Sequence, residues 1–89
     1  MDGRPEIDSL VAQVERFCGS LRRLSPEARL RLAARLRDEL GQVVETAIDA
    51  SMTAAARRGW GLRRIGRLVG LSHETVRSRI GRSMESERA

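Results

Sequence analysis

Eight arginines fall between residues 57 and 82, and Glu74 is the only acid among them. That block carries a net +7, whereas the whole 89-residue chain is only +5. Basic charge this dense is the electrostatic footprint of a polyanionic partner, most often nucleic acid. The plainer alternative is a solvated charged face. Every basic residue is Arg; no Lys occurs. Catalytic groups are scarce by contrast. One His (His73), one Cys (Cys18) and no Tyr make no Ser–His–Asp set, no zinc site and no internal disulfide, and there is no glycine-rich phosphate loop. The expectation is a protein that is not an enzyme and takes neither metal nor cofactor.

The arginines need elements to hold them, and the apolar spacing offers only helices. The length allows one compact domain with at most a small appendage. Phe17 and Trp60 are the only aromatic residues, so the core must be aliphatic, which suits helices better than a sandwich. After a loose leader over 1–5, Ile7, Leu10, Val11, Val14, Phe17, Cys18, Leu21 and Leu24 follow the three-four spacing of an amphipathic helix. Asp8 or Ser9 would serve near its start, and Cys18 reads as a core or interface residue. Ser25-Pro26-Glu27 then opens a second helix, with a capping hydroxyl, a Pro at the first helical position and an acid in the first turn.

This second helix continues through Leu30, Ala33, Leu36, Leu40, Val43, Val44, Ala47 and Ile48 to about residue 58. It either runs unbroken or bends at Gly41, where Gly costs about 1 kcal/mol in a helix interior; a break or kink is the expectation. Arg57-Arg58-Gly59 closes it, with cations at the C-terminus and a Gly for a left-handed cap. Gly61 and Gly70 bracket a short helix over about 62–69. Ser72 caps a last helix from His73 to about Met84, with Glu74 in its first turn, and 85–89 should fray. No strand pattern appears.

The stretch from Trp60 to Ile80 meets the demands of two short helices crossing at a tight turn. Gly66 gives the small residue where the second helix crosses the first. Gly70 provides the left-handed turn, and Leu71 plugs the angle. Ser72 caps the second helix, whose inner face is Val76 and Ile80. Trp60, Leu62, Ile65, Gly66, Val69, Gly70, Leu71, Val76 and Ile80 make a plausible miniature core, with Trp60 as a packing anchor.

This pattern resembles the helix-turn-helix of bacterial DNA-binding regulators. It looks most like small regulators from GC-rich actinobacteria and the tri-helical DNA-binding domains of resolvases and sigma-factor region 4. Shared are Gly-Trp at 59–60 and Ile-small-x-x-x-Gly-Leu-Ser-x-x-Thr-Val-x-x-Arg-Ile at 65–80. About 21 residues match closely, and the chain departs at Gly66, where the family usually has Ala. The resemblance implies sequence-specific binding of double-stranded DNA by a transcriptional regulator, with the second helix of the pair in the major groove. His73, Glu74, Arg77 and Ser78 are then the base-contact candidates, Arg77 toward guanine and Glu74 toward cytosine. Arg63, Arg64, Arg67, Arg79 and Arg82 are phosphate clamps, joined by the Ser72 and Thr75 hydroxyls. His73 also reads as an ordinary exposed first-turn residue, and Glu74 as a first-turn acid complementing the helix dipole.

The near-neutral first 41 residues are more than a tri-helical domain needs. The resulting expectation is an all-α chain: an N-terminal helical hairpin over 1–41 that dimerises, a helix-turn-helix domain over 42–84, and a tail over 85–89. Two hairpins would form a four-helix bundle in a symmetric homodimer, with Leu10, Val14, Phe17, Leu21, Leu36 and Leu40 at the interface. Folding back on the DNA domain as one monomeric core is the alternative, and docking another protein a third. With no apolar leader and no apolar run of about 20 residues, the chain should be cytoplasmic, at the nucleoid, without a membrane partner. Two rival functions remain: a non-specific DNA-coating or nucleoid-organising protein, and a protein–protein adaptor.

Overall fold

A computed structural model describes residues 3–88. Residues 1–2 of the expected leader and Ala89 of the expected frayed tail lie outside them. The described residues are all-α: four helices, α1 (Arg4–Ser20), α2 (Pro26–Arg57), α3 (Leu62–Val69) and α4 (His73–Arg88), with one turn of 3-10 helix at Leu21–Arg23. The chain divides into two units, Met1–Glu39 and Leu40–Ala89.

In the first unit, α1 starts earlier than its apolar stripe suggests. Gly3, in the left-handed region, precedes it, and Pro5 lies in its first turn, so Arg4 and Pro5 of the expected loose leader are helical. The three-four stripe is real, yet it does not build a core. Ile7, Leu10, Val11 and Phe17 are exposed, Val14 is half-buried, and Cys18 is an exposed free thiol rather than a core residue. Leu21 differs from its expected place between two copies. It is buried inside its own unit, beside a hollow that it lines with Cys18, Pro26 and Leu30, so it has little surface left for a partner. Leu36 is half-buried and Leu40 exposed.

α2 begins where its sequence demands. The Ser25 hydroxyl accepts the Ala28 N–H at 3.3 Å, which satisfies one of the orphan donors of a helix start. The break expected as one outcome at Gly41 does not occur; α2 runs 32 residues without interruption. Gly41 has no positive φ, so a cost of about 1 kcal/mol is all it exerts against a long ladder of hydrogen bonds. Exposed i,i+4 pairs at Glu27–Arg31 and Arg35–Glu39 add a few tenths of a kcal/mol each. The true stop is Gly59, at φ +89, where the Trp60 N–H donates back to the Ala55 carbonyl at 3.1 Å.

The second unit has the better core. Met52 from α2, Ile65 from α3, and Val76 and Ile80 from α4 are buried together, ringed by Ile48, Ala55, Trp60, Leu62, Leu71 and Met84 among others. Val76 is fully excluded from solvent and Met52 is 1% exposed. Thr53 is buried as well, and its hydroxyl has no hydrogen-bond partner. α4 passes Met84 and stays helical to Arg88, so the expected fraying from residue 85 is not seen through residue 88. Among the described residues, no helix is long and apolar enough to cross a membrane.

Candidate nucleic-acid interface

Two glycines shape the turn between α3 and α4. Gly70 sits at φ +74, ψ 31 and ends α3. A left-handed residue of this kind turns the chain back so that orphan carbonyls are reused. The Gly70 and Leu71 N–H groups both donate to the Gly66 carbonyl, the latter at 2.9 Å. The returning segment then lies directly against α3. A Cβ on Gly66 would collide with the Leu71 carbonyl oxygen and touch the Val76 side chain. This close approach is the physical reason for Gly66 where an Ala would otherwise serve. α4 starts at once: the Ser72 hydroxyl accepts the Thr75 N–H at 3.2 Å and donates to the Thr75 hydroxyl at 3.0 Å. Both hydroxyls are exposed, but they already hold each other at the helix start.

Fixing Val76 and Ile80 inward decides what faces outward. Glu74, Thr75, Arg77, Ser78, Gly81 and Arg82 are exposed on α4, and His73 is half-buried. On α3, Arg63 and Arg67 lie one turn apart. They meet His73 around an open hollow floored by Gly66, Gly70 and Leu71. His73 thus keeps company with the phosphate candidates, while standing one turn before Arg77 on the same side of α4. Arg64 points elsewhere, its guanidinium stacked 3.5 Å from the centroid of the Trp60 ring. Gly81 carries no motif signal in the sequence, yet a Cβ there would meet nothing within 4 Å, so packing does not require the glycine. It leaves the outer face of α4 bare between Arg77 and Arg82.

Arg79 departs from its expected role. Its side chain is only 15% exposed and is turned to α2, not to solvent. Nε donates to Asp49 Oδ1 at 2.7 Å, and the same guanidinium pairs with Glu45. These contacts, Glu45 first and Asp49 second, hold the guanidinium above its ordinary value. It therefore stays charged at any working pH and is committed to two carboxylates, which removes it from the phosphate clamps. Glu45 and Asp49 are four residues apart, which places both carboxylates on one face of α2. That spacing was the available signal for the contact. Arg82 lines the same hollow as these two acids, on the other side of α4 from the Arg63–Arg67 hollow.

Replacing Arg79 by Ala is expected to destabilise the second unit by about 1.5–3 kcal/mol, the range for hydrogen bonds to charged groups. Glu45→Gln should cost less, because Glu45 is more than half exposed and screened by water. Urea unfolding at low and high salt checks this; equal costs for the two variants would count against the geometry.

Among the described residues, no group of three or more His, Cys, Asp or Glu is placed to hold a metal ion. Comparison of the chain with protein-family models, curated proteins and solved structures finds no match.

Proposed function

We propose that α3 and α4 form a helix-turn-helix by which the chain binds duplex DNA, with α4 in the major groove, and that it acts as a transcriptional regulator at the nucleoid. The observation that carries this reading is the division of labour around one rigid turn. Arg63, Arg67 and His73 surround the turn, while Glu74, Arg77 and Ser78 project from the first two turns of α4. Phosphate contacts of the first kind fix a helix on the duplex; side chains of the second kind reach base edges. Arg77 is the guanine reader and Glu74 the cytosine reader. Gly81 allows the groove wall to pass close to the helix backbone. Arg64 and Arg82 flank this surface as outlying phosphate contacts.

Selection of bound sequences from a random duplex pool tests the reading. A preferred site should be bound roughly 10³-fold or more tightly than random duplex. On that site Arg77→Ala should lose about 1–3 kcal/mol, with little change on random duplex. Arg63→Ala and Arg67→Ala should instead weaken all sequences alike and each lower the salt slope by about one. Binding with a steep salt slope but no preferred site would assign the protein to non-specific DNA coating. Absence of duplex binding at low salt would sink the nucleic-acid reading altogether.

A further inference from the structure

Within the second unit, α2 is apolar on two opposite sides. Ile48, Met52, Ala55 and Ala56 turn to the core. Leu40, Val43, Ala47, Ala50 and Ala54 face the other way and are all exposed, Val43 at 68%. Their spacing alternates three and four, the a and d positions of a heptad pattern. A monomer has no use for this second stripe.

Nothing polar competes for it. Between residues 40 and 56 the only charged side chains are Glu45 and Asp49, and both are held toward α4 by Arg79. The flanking hydroxyls are bonded to their own helix, Thr46 to the Gln42 carbonyl at 2.9 Å and Ser51 to the Ala47 carbonyl at 2.8 Å. Beside Ser51 and Ala55 opens a groove of about 230 Å³ between α2 and α3, with Leu68 on its rim 71% exposed. It widens the apolar surface on that side.

The stripe is also graded. Its N-terminal half is large, with Leu40 and Val43; its C-terminal half is small, with Ala47, Ala50 and Ala54. A second helix laid parallel would stack large on large and leave the alanines facing one another across a gap. Laid antiparallel about a twofold axis at Glu45, the same stripe complements itself. Leu40 then faces Ala50 of the second copy, and Val43 faces Ala47 of the second copy. Knobs meet holes at both ends. Beside the axis Val44 faces Thr46 of the second copy, and Glu45, the residue on the axis, is turned away to Arg79, so no like charges oppose.

We propose that this face of α2 docks a second copy of the chain, antiparallel, α2 against α2. The proposal does not depend on DNA binding. It also moves the contact away from the α1 residues that the sequence suggested and keeps only Leu40 of that set.

Sedimentation equilibrium of the full chain at about 100 µM, a concentration that populates micromolar dimers, should give twice the 9.9 kDa chain mass. Val43→Ala empties a hole and Ala47→Val overfills one, so each alone should raise the dissociation constant about tenfold or more. The double variant V43A/A47V exchanges knob and hole and should return the constant to within about threefold of the parent. Ala50→Glu should abolish the dimer. All these positions are exposed, so far-UV circular dichroism and melting of the monomer should be unchanged. A mass of 9.9 kDa for the parent overturns the proposal. So does a dimer that survives Ala50→Glu but is lost in Phe17→Glu, or a double variant no better than its singles.

Discussion

Replacing Met52 by Ala is expected to cost the second unit about 2–5 kcal/mol, the range for emptying a buried Met-sized site. The unit has few ways to absorb the loss. Among the described residues Met52 is one of four buried hydrophobic residues that meet at its centre, and it packs with Ile65, Val76 and Ile80 from the other two helices. At about 0.05–0.15 kcal/mol per residue, a unit of this size holds only a few kcal/mol in reserve. The Ala variant should therefore be largely unfolded near 37 °C, whereas Met52→Leu should stay within about 1.5 kcal/mol of the parent. Chemical denaturation followed by far-UV circular dichroism measures both. An Ala variant within about 1 kcal/mol of the parent, the cost of an average point substitution, would mean that Met52 is not the keystone its burial implies.

Replacing Gly66 by Ala is expected to destabilise the same unit by about 1–3 kcal/mol, the cost of overpacking, despite better helix propensity. Ala is favoured over Gly in a helix interior by about 1 kcal/mol, so propensity alone predicts the opposite sign. The decisive fact is the neighbour: the obstructing atom is the Leu71 carbonyl oxygen, a backbone atom pinned by the Leu71 N–H bond to Gly66 itself. It cannot swing away as a flexible side chain would. Relief must come from moving the turn, which would tilt α4 and carry Arg77 with it. Gly41→Ala is the matched control, because a Cβ there meets nothing within 4 Å; it should be neutral or stabilising by up to about 1 kcal/mol. The melting temperature should therefore fall for Gly66→Ala and hold or rise for Gly41→Ala. A Gly66→Ala protein as stable as its parent would show that the turn yields freely.

These two glycines mark where local sequence suffices and where it does not. Ser25, Pro26 and Glu27 announce the start of α2, and Gly59 and Gly70 announce stops, because capping and left-handed turns are decided by residues within a few positions of each other. Gly41 looks like a break from sequence alone, yet a single weak helix former is outvoted by its neighbours. Gly66 shows a small residue without showing what presses on it. Met52 is hidden among the small residues of the Ala-Ser-Met-Thr-Ala run, although its step of four from Ile48 continues the inward stripe. In the sequence Arg79 is one more cation in a basic block. Its carboxylate partners lie 34 and 30 residues away, and a contact at that range has no local signature beyond the four-residue spacing of Glu45 and Asp49. The α1 stripe marks a related limit: periodicity says which residues share a face, not whether anything covers it.

Trp60, half-buried beneath the Arg64 guanidinium, has one more consequence. It is the only Trp, and the chain has no Tyr, so indole emission comes from one place, the junction of α2 and α3 in the second unit. The first unit, with Phe17 as its only aromatic side chain, is optically silent at those wavelengths. Fluorescence and backbone dichroism thus watch different parts of the molecule. Coincident unfolding curves would mean the two units melt as one cooperative system, and separated curves that they melt independently. A single indole serves as an internal clock for one half of the chain, set against a signal to which both halves contribute.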